Sequence, residues 1–143
     1  MIAVWLRRAS DGFFYGYVGT LILAGAWGAV FARVDQSLLL DLDIEQLPPR
    51  TQANHLSQYR FLRAIELGFG LFAFLQRDAI RRQRSFNRLF LFTMSAGVGG
   101  RLLSLRLDGS PSPAMYFFAG FELVGAPVIY AQTRTTLKDG ARG

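Results

Sequence analysis

The chain has 143 residues, 51% of them hydrophobic and 18% charged, with a formal net charge of +6 and no cysteine. A soluble domain carries about 25% charged residues, so this chain is short of groups to cover a water-facing surface, and its composition points to a membrane. The lack of cysteine excludes disulfides, thiolate nucleophiles and sulfur metal sites, and the single His55 excludes a multi-histidine metal centre.

Residues 1–11 read as a short leader, with Arg7 and Arg8 ahead of the first span. Gly12 to Ala32 is free of charge over 21 residues, about 31 Å as a helix and enough for a bilayer core. Gly12, Gly16, Gly19, Leu23 and Ala26 recur at helical spacing, and Gly12-x-x-x-Gly16 predicts a face on which another helix packs closely. Two arginines, an apolar stretch and Ala24-Gly25-Ala26 also fit a cleaved signal peptide, but the apolar run continues to Ala32, which is long for one.

Residues 33–58 form a loop too long to be a simple turn. Leu38, Leu39, Leu40, Leu42, Ile44 and Leu47 mix there with Asp35, Asp41, Asp43 and Glu45 before Pro48-Pro49. The pattern fits either an amphipathic piece on the membrane surface or a cap over the helices. His55, between Asn54 and Ser57, is expected to be exposed.

The second span is 59–76, on a helix that can begin at Thr51 or Asn54. Arg63 and Glu66 share one face of it with Tyr59, Gly70 and Ala73. A strongly basic turn from Arg77 to Ser85 follows. The third span, 86–105, has Met94, Gly97, Arg101, Ser104 and Asp108 on one face. Residues 108–113 read as a turn by composition. The fourth span, 113–131, holds Glu122 in its middle and Pro127 near its end, where a kink is expected. The polar tail, 132–143, is expected to fray.

Ten of the 16 basic residues fall in the leader, the second loop with its flank (Arg77, Arg81, Arg82, Arg84, Arg88) and the tail (Arg134, Lys138, Arg142). Four, Arg33, Arg50, Arg60 and Arg106, fall on the other side. The positive-inside rule then places both termini in the cytoplasm. Trp5 and the five tyrosines cluster towards span ends, as interfacial aromatics do. Such short basic clusters fit anionic lipid headgroups at the cytoplasmic loop and do not fit a nucleic-acid groove.

Arg63 and Arg101 are the two cations left inside spans. An arginine in hydrocarbon costs about 2.5–3.5 kcal/mol on insertion scales, so each needs a partner or a route to water. Counting helical rise from the span ends places Arg101 ~8 Å below the outer boundary, Glu66 at a similar depth and Glu122 ~13 Å down. Arg63, Glu66, Arg101, Ser104, Asp108 and Glu122 are therefore the candidate polar cluster, in the outer half, with Glu66 and Glu122 as candidate partners of Arg101. Arg63 has the alternative of extending to the outer interface. The cluster has three readings: ion pairs that fix helix register, a polar pocket open to the outside, or a proton or ion path.

No catalytic residue, cofactor or metal site is predicted. Ser104 has no histidine near it in sequence, and Gly97-x-Gly99-Gly100 lies within an apolar span, where helix contact explains it better than phosphate binding.

The stretch Gln58-Tyr-Arg-Phe-Leu-Arg63-Ala-Ile-Glu66-Leu-Gly68-Phe-Gly70, the stretch Gly99-Gly100-Arg101-Leu-Leu-Ser104…Asp108-Gly109-x-Pro111, and a following span with Glu122 resemble a family. It is that of the small bacterial four-helix membrane proteins classed under domain of unknown function 4345, over roughly residues 12 to 132. The resemblance implies a bacterial inner-membrane four-helix bundle and attaches no activity to it.

The expectation is thus one all-α membrane domain, a bundle of four transmembrane helices. Its first functional reading is a non-enzymatic accessory or structural subunit, packing through glycine-rich faces into a larger complex or a homo-oligomer. The alternative is a small-molecule or lipid-binding protein, a transporter component or enzyme, whose pocket is the Arg/Glu cluster.

Overall fold

The computed structural model describes residues 2–139. Among these the chain is all-α: α1 (Ile2–Val30), α2 (Ala32–Leu40), α3 (Pro49–Leu75), α4 (Arg77–Arg82), α5 (Arg84–Leu107) and α6 (Pro113–Asp139), with one 3-10 turn at Ile44–Gln46. Arg142, counted above among the basic tail residues, lies outside the described residues.

Four boundaries differ from the expectation. The leader is not separate: no helix breaker stands between Ile2 and Gly12, so α1 runs through it. The basic turn contains a short helix, α4, because Ile80 is apolar enough to dock fully buried in the core while Arg81 and Arg82 close its last turn. Helix α6 continues through Pro127 to Asp139, so the tail expected to fray is helical over its first eight residues. Pro49 does not merely end the loop; it is the first residue of α3, where its missing N–H costs nothing.

The loop is a folded cap. Asp41, at φ 52°, ends α2, and its N–H donates to the Gln36 carbonyl. Asp43 caps the 3-10 turn by accepting from the Glu45 N–H at 3.1 Å and from Gln46 Nε2 at 2.9 Å. Ala32, Ile44, Leu56 and Tyr59 then form a small apolar cluster that seats the cap on the first half of α3. His55 is exposed on that same half.

Helix α1 is central, packing on α3 and α6, while α6 also packs on α5. Phe14 and Val18 of α1, Ala73 of α3, Ile80 of α4, Phe90 and Met94 of α5 and Ile129 of α6 make the core. Phe14 and Phe90 meet ring to ring at 5.1 Å. Residues on both sides of Ala24-Gly25-Ala26 are packed in, so cleavage there would remove Phe14, Tyr17 and Val18 from the core. The close helix contact is not at Gly12 and Gly16. A Cβ at Gly12 would meet nothing within 4 Å, and one at Gly16 would meet only the tip of Phe121 at 3.0 Å. The backbones approach instead at Gly25, where a Cβ would stand 2.6 Å from the Leu67 nitrogen and 2.8 Å from the Arg63 carbonyl oxygen.

Two sets of contacts mark the ends of the bundle. At one, Arg81 pairs with Asp11 at 2.8 Å and Ser10 donates to Gln132 at 3.4 Å. At the other, Ser112 Oγ donates to the Leu39 carbonyl. The first end gathers the leader, α4, the start of α5 and the last part of α6, and with them nine of the 15 basic residues among those described.

Large apolar side chains are exposed outside the apolar core. Leu23, Phe61, Phe92, Leu107 and Phe117 are 65–73% exposed, while Asp35, Gln36, Asn87 and Glu122 are buried. The accessible surface is 9512 Å², against about 7,400 Å² for a compact soluble monomer of this mass. Two helical stretches, Val4–Val30 and Pro113–Arg134, are long and apolar enough to cross a membrane by composition. In α3 and α5 the mid-helix charges Arg63, Glu66 and Arg101 lower the apolar content.

One buried group stands out against this packing. Gln36 is 0% exposed, and among the described residues neither its Oε1 nor its Nε2 finds a hydrogen-bond partner. Gln36→Met is expected to raise stability by about 1–3 kcal/mol by removing an unpaired amide at nearly constant volume. A higher thermal midpoint in detergent is the expected readout, and a lower one would show that the amide is held by water.

Candidate functional site

Arg63 is the centre of the first half of the site. Tyr59, Arg63 and Glu66 are i, i+4 and i+7 on α3 and so share one face. That face meets α2, which turns Asp35 inward. The Arg63 guanidinium lies 2.8 Å from Asp35 Oδ2 and 2.7 Å from Glu66 Oε2. It also donates to the Tyr59 hydroxyl from Nε at 3.1 Å and from NH2 at 2.7 Å, while that hydroxyl donates to Asp35 at 2.6 Å. The Arg63 side chain is 11% exposed and that of Asp35 5%. Arg63 therefore does not extend to the outer surface; its donors are used within the fold. Gly28 makes the room, since a Cβ there would run into the Asp35 carboxylate and stand 2.5 Å from Arg63 Nε.

The second half joins α5 to α6. Arg101 Nε donates to Glu122 Oε2 at 3.3 Å, and its NH1 lies 3.4 Å from the Met115 sulfur. The Phe118 ring lies beneath the guanidinium at 6.0 Å. Glu122 is 8% exposed and its carboxylate lies beside Gly97, where a Cβ would meet it only in ordinary contact at 3.6 Å. Of the two carboxylates considered for Arg101, Glu122 is its partner, and Glu66 pairs with Arg63. Ser104 donates to Asp108 at 2.7 Å on the exposed end of α5, where Asp108 caps the helix.

These two halves line one cavity of about 510 Å³. It lies between the charged ends of α3 and α5, with α1 and α6 as its back wall; beyond it the two helices meet, Phe69 on Phe90 at 6.0 Å and Phe72 on Phe86 at 6.2 Å. Tyr59, Arg63 and Glu66 line it from α3; Gly97, Gly100, Arg101 and Ser104 line it from α5. Leu21, Phe118 and Phe121 supply an apolar wall, and Leu40 of the cap reaches its edge. Asp108 is not among the lining residues.

Asp35 is the functional-site residue that sequence reasoning missed. It was one of four acids in a loop, and only the register of α2, with Ala32 and Asp35 three apart on one buried face, sets it apart. That register is visible only once α2 is known to be a helix.

Chemically the site is a largely apolar cavity whose lining carries two carboxylates, Glu66 and Glu122, paired with two guanidiniums, Arg63 and Arg101, while Asp35 holds Arg63 from behind. It suits holding a molecule with a polar head and an apolar body. Among the described residues no three His, Cys, Asp or Glu side chains are grouped to hold a metal ion.

A search of the curated proteins returns no match, and neither does a search of the solved structures. A family model matches residues 14–132, which takes in α1 from Phe14, the cap, both halves of the site and most of α6. The chain belongs to the family described as domain of unknown function (DUF4345).

Proposed function

We propose that this protein is a four-span protein of a bacterial cytoplasmic membrane that binds a lipid or another small amphiphile in the cavity between α3 and α5, without transforming it. Helices α1, α3, α5 and α6 are the spans, and both termini and α4 face the cytoplasm. The observation that carries this reading is the cavity itself, between the charged ends of α3 and α5, with ion-paired side chains beside an apolar wall. The exposed apolar residues on every long helix support the membrane setting. The charges inside α3 and α5 are compatible with it because each has a partner within the fold. The concentration of arginine at the Asp11–Arg81 end supports the orientation, and the same arginines attract anionic headgroups there.

A second reading, a non-enzymatic accessory subunit, is favoured by a separate observation. Gly12, Gly19, Gly68, Gly99, Gly100 and Gly120 have open space where a side chain would be, room for the helix of a larger partner or of a second copy.

Mass spectrometry of the protein from gently solubilised membranes separates the two. The binding reading expects a co-purifying lipid or quinone-like molecule, lost in Glu122→Gln, with the variant accumulating as the parent does. A stable larger complex and no bound amphiphile would replace it with the accessory reading. A reporter fused within α4 is expected to give a cytoplasmic signal, and an extracytoplasmic one would overturn the orientation.

A further inference from the structure

At the opposite end of the bundle from the Arg/Glu cavity lies a second cleft, of about 330 Å³, between the start of α5 and the last third of α6. Its lining is Arg84, Asn87 and Arg88 of α5 with Tyr130, Arg134 and Leu137 of α6. Three of these six are guanidiniums and none is a carboxylate.

The contrast with the other arginines is what gives the cleft meaning. Arg33, Arg63, Arg81 and Arg101 each lie against a carboxylate of the chain. Arg84, Arg88 and Arg134 make no ion pair among the described residues, yet two helices bring them to one concavity. Arg84 and Arg88 are i and i+4, on one face of α5. Tyr130 and Arg134 are i and i+4 on α6, with the Arg134 guanidinium over the Tyr130 ring at 5.6 Å. Asn87 is buried and ties the corner down by donating to the Ile80 carbonyl at 3.0 Å.

The backbone adds to the same sign. Helix α5 is 24 residues long, and its N-cap, Gln83, makes no side-chain cap hydrogen bond, so Gln83 does not compete for the first-turn N–H groups. The positive end of that helix thus opens beside the three guanidiniums. Uncompensated like charges at this spacing favour an anion, and planar guanidiniums with a helix N-terminus suit the several oxygens of a phosphate. We infer that the cleft of Arg84, Arg88 and Arg134 is a discrete site for a phosphate-bearing anion, beyond the diffuse attraction of a basic surface for a bilayer. Leu137 and the Tyr130 ring flank it on the apolar side, where the acyl chains of a phospholipid would run; a soluble phosphate would use the same donors.

The full chain in detergent, titrated by native mass spectrometry and thermal shift, tests this. The probes are phosphatidylglycerol, phosphatidylcholine and inorganic phosphate. The expected result is one saturable, stabilising phosphatidylglycerol per chain, weakened about tenfold or more in Arg88→Gln and in Arg134→Gln. Both residues are exposed, so the variants keep the fold. Arg82→Gln, which removes the same charge outside the cleft, is expected to bind as the parent does. Competition by inorganic phosphate would identify a soluble phosphate as a ligand of the same site, and its absence would assign the site to lipid. No saturable binding of either phosphate probe, or an equal loss in Arg82→Gln, would overturn the proposal.

Discussion

Arg63→Met is expected to destabilise the protein by about 3–5 kcal/mol, the usual cost of removing one partner from a buried ion pair and leaving the other charged. Two carboxylates depend on this guanidinium. Asp35 is almost fully buried and has, among the described residues, Arg63 and the Tyr59 hydroxyl as its side-chain partners, while Glu66 is held from the cavity side. The loss is therefore electrostatic and not a packing loss, since methionine fills most of the volume. The double variant Asp35→Asn/Arg63→Met removes the charge that Arg63→Met strands. It is expected to recover more than about 1 kcal/mol of the single-variant loss, a coupling typical of residues in direct contact. Thermal unfolding in detergent, with accumulation in membranes as a second readout, measures both. A double variant no more stable than Arg63→Met would show that Asp35 does not rely on Arg63.

The second large effect is expected at Gly25. Its Cβ-to-be stands 2.6–2.9 Å from the Leu67 nitrogen, the Arg63 carbonyl oxygen and the Leu67 Cα, all of them backbone. Backbone cannot swing aside as a side-chain tip can, so Gly25→Ala forces α1 and α3 apart. Overpacking of this kind costs about 1–3 kcal/mol, only partly offset by the better helix propensity of alanine, ~1 kcal/mol. Because Arg63 sits on the displaced turn, the variant is also expected to loosen the Asp35–Tyr59–Arg63 network and weaken any amphiphile held beside it. Gly12→Ala and Gly19→Ala are the controls, since open space surrounds both. They are expected to leave stability unchanged or raise it by about 0.5–1 kcal/mol. A Gly12→Ala variant as damaged as Gly25→Ala would contradict the α1–α3 approach described here.

Much of the helical layout was legible because it depends on local chemistry. The uncharged run Gly12–Ala32 and the run around Glu122 set two long apolar helices, and Asp108-Gly109 with Pro111 and Pro113 set the turn between α5 and α6. Other features were not legible. Seven glycines along α1 and α3 look alike in sequence, yet only those at which a neighbouring backbone or a buried ion pair arrives, Gly25 and Gly28 among them, carry a constraint, and arrival is decided by how whole helices cross. The same is true of the acids in 33–58. Asp35 differs from Asp41 and Asp43 only in facing inward, and that direction follows from α2 docking against α3 through Ala32, Ile44 and Leu56.

The sequence by itself therefore determined the class of this protein: all-α, apolar outside, basic at one end, with arginine and glutamate where hydrocarbon is expected. Those are properties of composition and spacing, which hold whatever the helices do next. The tertiary structure alone decided the pairing of the charges, Arg63 with Asp35 and Glu66 and Arg101 with Glu122, and the cavity that opens between the charged ends of α3 and α5. A salt bridge acts over a few ångströms, so which carboxylate meets which guanidinium depends on helix crossing and on the glycines that allow it, not on order along the chain.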